Sequence, residues 1–172
     1  ESDRVERTIS TKNTDKFAEA ICAFANDFPN HRQPGYLLVG VNDEGRAGGL
    51  TVTDALLRDL ANLRSNVNLE PIPALTVQKK QLPDGEVAVV EVIPSNLPPV
   101  RYKGRVWIRV GPSRRAANQQ EERILTEKRT AFQKTFDGRP CEGCALDDLV
   151  LDLFLVTYLP AAVAREVIEE NK

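Results

Sequence analysis

The sequence predicts an α+β domain: a mixed, mostly antiparallel sheet with helices packed on it, followed by a short helical C-terminal extension. Three observations predict it. Short apolar or alternating runs bounded by turn residues recur as strand candidates. Helix-spaced apolar stripes are interleaved with them. The strand candidates come mostly in pairs joined by tight turns, which makes antiparallel hairpins and helices on a sheet the natural layers.

The elements follow in order. "ESDRVERTIS" is polar with β-compatible Val5, Thr8 and Ile9, a short first strand. In "NTDKFAEAICAFAND", Phe17, Ile21, Phe24 and Ala25 recur at helical spacing, and Asn13 or Thr14 can cap. "FPNHRQPG" is a loop by its prolines and glycine. "YLLVGV" is a continuous apolar run, as in a strand covered on both faces, and Gly40 within it marks a close approach. "NDEG" turns the chain into "RAGGL", a hairpin partner. Leu56, Leu60, Leu63 and Val67 then form one helical stripe, with Thr51 or Thr53 as cap. "PALTVQKKQL", "PDG" and "EVAVVEVI" make a hairpin, and "VRY", "KG" and "RVWIRV" make another. "GPS" breaks that last strand, and "RRAANQQEERILTEKRTAF" is predicted as a helix. A loop, "TFDGRPCEGCA", leads to two helical stretches, the second with Pro160 in its first turn. Residues 1–118 are expected to be one domain, and 119–172 a helical extension that packs on it or leads to a further C-terminal region.

The 172 residues carry a net charge of −2, which excludes a uniformly basic binder. Charge is uneven: residues 1–118 carry a net +2 and residues 119–172 a net −4. No apolar run is long enough to span a membrane. Three cysteines do not suggest a disulfide framework, so a reducing cytoplasm is the expected location. The sequence contains no Met and ends in the polar "EVIEENK", and it reads as the N-terminal part of a longer product.

Chemistry concentrates in "RVWIRVGPSRR", residues 105–115, with four arginines, no acid and the chain's one Trp. Strand alternation sends Val106, Ile108 and Val110 to one face and Arg105, Trp107 and Arg109 to the other. Arg101 and Lys103 lie across the "KG" turn. Cations beside an aromatic ring suit nucleic acid, with charge on phosphate and the ring on a base. Ser113, Arg114 and Arg115 are expected at a helix start, where backbone N–H groups attract anions. The competing structural reading packs Trp107 under a helix and pairs the arginines with the abundant Glu and Asp. Glu1, Glu6, Asp43 and Glu44 form a carboxylate set, and Asp43 ends a central strand where a hard divalent cation can be held. "CEGC" lacks two further ligands nearby for zinc, since Cys22 and His31 are over a hundred residues away. "GVNDEGRAGGL" is no Walker A motif, and His31, alone in a loop, offers no convincing catalytic base.

The segments "ESDRVE", "AICAFAND", "GYLLVGVNDEGRAGGL", "VAVVEVIPS" and "GRVWIRVGPSRRAA", in this order, resemble the Schlafen-type AlbA domain over about residues 1–118. That domain stands at the N-terminus of many bacterial transcriptional regulators, often labelled divergent AAA or RecG-like. The resemblance implies an α+β domain that binds nucleic acid, and the basic run makes Arg101, Lys103, Arg105, Trp107, Arg109, Ser113, Arg114 and Arg115 its expected contact surface for DNA or RNA, with no cofactor required for binding. It also implies an enzymatic alternative. Schlafen relatives that cut RNA use three carboxylates and a divalent cation, which here maps to Glu1, Glu6 and Asp43 with Mg²⁺ or Mn²⁺. The chain has Glu6-Arg7-Thr8 where the family commonly has Glu-Phe-Lys, and "NDFPNHRQPG" where a shorter turn is usual. Nucleotide (ATP) binding or a protein-interaction role is a further alternative, and association with further copies of the chain is left open.

Overall fold

A computed structural model describes residues 2–66, 68–132, 145, 148 and 150–162. The chain divides into two compact units, Glu1–Gln133 and Lys134–Lys172.

The first unit holds two four-stranded sheets. One has the order β1-β2-β5-β4, built from β1 (Val5–Thr8), β2 (Gly35–Val39), β5 (Gly85–Val92) and β4 (Leu75–Leu82). The other is β3-β6-β7-β8, built from β3 (Leu69–Glu70), β6 (Arg101–Tyr102), β7 (Arg105–Val110) and β8 (Ser113–Ala116). Among the described residues only the β1–β2 pair is parallel, and every other neighbouring pair is antiparallel. The expected mixed, mostly antiparallel α+β architecture is what the structure shows, divided between two sheets.

Helix α1 (Thr14–Asn26) explains the division. Nine of its thirteen residues are buried, Phe17, Ala18 and Ala20–Asn26. A helix apolar on nearly all sides must be covered on nearly all sides. It packs against β2 and β5 of one sheet and against β6, β7 and β8 of the other. Its alanines let both sheets approach. At Gly35 a Cβ would sit 2.3 Å from the Phe24 ring, so the start of β2 passes directly over α1. Asn13 caps the helix through a bond from the Lys16 N–H, as its position suggests.

The main core joins Ile21, Phe24, Leu37, Val39, Val90, Val92 and Tyr102, with Leu60 and Leu63 from α2 (Asp54–Asn66). Thr53 accepts from the Leu56 N–H at the start of α2. The opposite face of β2 and β5 buries Val41, Val87 and Val89 against Tyr36 and Leu38, so "YLLVGV" is covered on both faces as expected. Gly40 has φ +93°, and a Cβ there would lie 2.7 Å from Leu50. A third cluster, Val106, Ile108 and Leu125, packs Phe28 and α3 (Gln119–Phe132) on the far side of β7. The first unit therefore includes α3, the first part of the expected extension.

One expected element is corrected. "GPSRRAA" does not open a helix. Gly111, at φ +58°, and Pro112 reverse the chain, and Ser113–Ala116 return antiparallel on β7 with Val110 opposite Ser113. The helix begins at Gln119 behind a reciprocal cap: the Glu121 N–H donates to Asn118 Oδ1 and the Asn118 N–H to Glu121 Oε2, both at 2.9 Å.

In the second unit the described residues form α4 (Leu151–Leu153), a π-helical turn Phe154–Tyr158 and α5 (Leu159–Ala162). Helical backbone runs unbroken from Leu151 to Ala162, so Pro160 follows closely on the π-helical turn and does not open a separate helix. The Cys-x-x-Cys pair lies outside the described residues. Among the described residues no helix is long and apolar enough to cross a membrane.

Candidate nucleic-acid interface

The β6–β7 hairpin turns on Lys103 (φ +48°) and Gly104 (φ +77°), the two positive φ values that a type I′ turn requires. It projects Arg101, Lys103 and Arg105. Arg101 donates to Glu122 at 2.7 Å and to the Gly104 carbonyl at 3.3 Å. Lys103 bonds both oxygens of Asp15 at 3.1 Å. The Tyr102 hydroxyl also donates to Asp15, at 2.7 Å. These two donors, Tyr102 foremost, hold the Asp15 carboxyl below its ordinary value. Arg105 is exposed, and no partner takes its charge among the described residues. Lys12 and Lys16 flank Asp15 at the start of α1.

Four residues further along the same strand, the environment reverses. Arg109 is 2% exposed, so the expected exposed Arg–Trp–Arg face is corrected here. Its guanidinium stands over the Phe24 ring at 5.3 Å. One Nη pairs with Glu6, and the other donates to the carbonyls of Ser2 at 3.1 Å and Pro112 at 2.7 Å. Its Nε is buried with no hydrogen-bond partner among the described residues. Arg114, from β8, pairs with the other oxygen of Glu6 and, at 3.2 Å, with Glu19 on α1. Trp107 packs against the main core, and its indole N–H is also buried without a partner. Val110, assigned to the core face, is instead 48% exposed at the strand's end. Arg115 is exposed beyond the arginine clamp and forks onto Glu121 at 2.6 and 2.8 Å. Ser113 is exposed on β8, not at a helix start.

Behind this strand lies a polar tie that the sequence reading did not single out. Buried Asn26 accepts from the Val100 N–H at 2.6 Å and donates to the carbonyls of Val100 (3.0 Å) and Trp107 (2.8 Å). Cys22, one helical turn earlier, donates its thiol to Val100 O, and burial pushes that thiol up to about 12. His31, alone in its loop by sequence, meets Asp3 at the entrance to β1.

Of the three carboxylates expected to hold a divalent cation, Glu1 lies outside the described residues. Both oxygens of Glu6 face guanidinium groups, and Asp43 is exposed in the turn after β2. No group of three or more His, Cys, Asp or Glu able to hold a metal ion occurs among the described residues. A carboxylate already neutralised by two arginines is a poor ligand for Mg²⁺ or Mn²⁺.

The model of the family Schlafen, AlbA_2 matches residues 1–118. Among solved structures, the DIP2311 protein from Corynebacterium diphtheriae is similar, with a TM-score of 0.51 at 20% identity over 73% of this chain. The match covers 24% of that protein, so this chain corresponds to about a quarter of it, and the likeness is one of fold. The N-terminal domain of a RecG-related protein from Nitrosomonas europaea is 30% identical over 55% of this chain and 65% of its own, with a TM-score of 0.44. Among curated proteins, none matches.

Proposed function

Because the chain belongs to the Schlafen AlbA_2 family, we propose that it is a nucleic-acid-binding module that meets phosphate with its β6–β7 hairpin, in the cytoplasm, as the DNA-contacting N-terminal part of a transcriptional regulator. The observation that carries this reading is Arg105, an exposed guanidinium without a partner among the described residues, beside two cations held only by surface pairs. Such exposed pairs are weak, so a phosphate can replace Asp15 on Lys103 at little cost. Arg109 and Arg114 are different. Their buried pairing with Glu6 makes them parts of the scaffold, and release would leave an uncompensated charge inside. Arg115 is an intermediate case, exposed but already in bidentate geometry with Glu121. Contact of this kind requires no cofactor.

The test is a titration of labelled DNA and RNA at two salt concentrations. Affinity should fall with salt, and Lys103→Ala with Arg105→Ala should weaken binding and reduce the salt slope by about two. Salt-independent binding, or a double variant indistinguishable from the parent, would refute the reading.

A further inference from the structure

A groove of about 390 Å³ lies beside the basic hairpin, lined by Ser65, Asn68, Leu69, Glu70, Ile72 and Arg101, with Gly104 at its rim. Its size is within the range of sites that enclose small ligands. Resting on the phosphate reading above, we infer that this groove takes an unpaired base of a single-stranded nucleic acid whose backbone runs over Lys103 and Arg105.

Three observations converge. Ile72 is 61% exposed on the lining of a concave surface, an apolar contact for the face of a flat ring. Arg101 is held in a fixed orientation by its two bonds, to Gly104 O and to Glu122. A guanidinium fixed through its edge still offers its face, and base rings stack on such planes. The remaining lining is polar. Glu70 can accept from base N–H groups, and the Asn68 amide can donate and accept. The Ser65 hydroxyl spends its proton on the Asn62 carbonyl and so presents acceptor lone pairs.

Continuity with the phosphate surface fixes the ligand class. Arg101 belongs to the groove and to the hairpin, and the Lys103 N–H bonds the Asn68 carbonyl at 3.3 Å. A duplex keeps its base faces stacked internally. Only an unpaired base can present a face to Ile72 and Arg101 while its edge reaches Glu70 and Asn68.

The experiment measures binding of the whole chain by fluorescence anisotropy. The probes are labelled oligo(dC), oligo(rC), an abasic oligomer of equal length and a duplex. Oligo(dC), oligo(rC) or both should bind about tenfold more tightly than the abasic oligomer and the duplex. Ile72→Ser should remove about fivefold or more of that preference and leave abasic binding unchanged, and Arg101→Lys should lower the ratio of oligo(dC) or oligo(rC) affinity to abasic affinity by a similar factor. Ile72 is exposed, so its replacement leaves the fold intact, and Arg101→Lys keeps the charge while losing the plane. Equal affinity for all four probes, or variants without effect on the preference, would overturn the base groove and leave phosphate binding standing. No binding of any probe would defeat the phosphate reading and this inference with it.

Discussion

Arg105 and Arg109 stand four residues apart on one strand, on the same side by alternation, and have opposite fates. Arg109 lies over Phe24, near the end of α1, inside a cage completed by Glu6 and Arg114. Arg105 lies at the hairpin end of the strand. Its hairpin neighbour Lys103 reaches Asp15, in the first turn of the same helix, and lies over the Tyr102 ring. The difference is cover. The middle of β7 is roofed by α1, whereas the turn projects past it. An arginine-rich run is therefore two structures in series, an ion cage that holds the sheets to the helix and an exposed hairpin with charge to spare.

The largest expected effect falls on the cage. Glu6→Ala should destabilise the protein by about 3 kcal/mol, because Arg109 then stays buried without a counter-charge. Equilibrium urea unfolding followed by Trp107 fluorescence measures it. A loss under about 1 kcal/mol would mean that the Ser2 and Pro112 carbonyls alone satisfy the guanidinium, and that the cage is no scaffold. Replacing Glu6, Arg109 and Arg114 together by Leu, Met and Leu should be far milder than Glu6→Ala, since the fully buried charge of Arg109 leaves with its partner and Glu19, which loses Arg114, keeps 21% of its side chain in solvent.

Asn26 should come next. Asn26→Ala orphans the buried Val100 N–H and removes the tie from α1 to β7, a cost of about 2 kcal/mol by the same unfolding measurement. An unchanged midpoint would show that the loop before β6 does not depend on α1.

These two sites also show what a sequence can and cannot disclose. The β4–β5 and β6–β7 hairpins and strand β2 were legible, because turn pairs such as Pro83–Asp84 and Lys103–Gly104 and the apolar run at β2 are local signals, whereas "RAGGL", expected as a hairpin partner, makes only an isolated bridge from Ala47 to Val41. The capping box of Asn118 and Glu121 was equally local, and reading it would have placed the start of α3 correctly and freed 113–116 to be a strand. The burial of Arg109 was not legible. Alternation says which side chains share a face but not what covers that face. The partner, Glu6, is over a hundred residues away in the chain. Asn26 was hidden for the same reason: nothing local marks a polar residue that serves two distant carbonyls. For the candidate interface, the hairpin cations were found and the two caged arginines were wrongly grouped with them.

The hairpin itself should tolerate change. Lys103→Ala with Arg105→Ala should alter stability by no more than about 0.5 kcal/mol, since both side chains are exposed. The same double variant should lose nucleic-acid affinity. Glu6→Ala, measured where it remains folded, should instead leave the salt slope unchanged. A reversal of this pattern, with the cage variant losing slope and the hairpin variant losing stability, would exchange the roles assigned to the two regions.

The smallest effect is a titration. Asp15 accepts from Tyr102 first and from Lys103 second, and its carboxyl lies below the ordinary value of 3.8. A depressed folded value means that the contribution of this group to stability is present above that ordinary value. It is lost only as pH falls through the lower folded value. Lys103 runs the other way. Its ammonium is raised above 10.5, chiefly by Tyr102 and then by Asp15, so its contribution is present below 10.5 and is lost as pH rises past the folded value. Tyr102→Phe should therefore move the Asp15 carboxyl signal in a carbon-detected NMR titration upward, toward its ordinary value. If Asp15 titrates identically with and without the Tyr102 hydroxyl, the hairpin is not anchored to the start of α1 through this contact. The mobility of Lys103 and Arg105 would then be greater than a surface triad of Tyr, Asp and Lys allows.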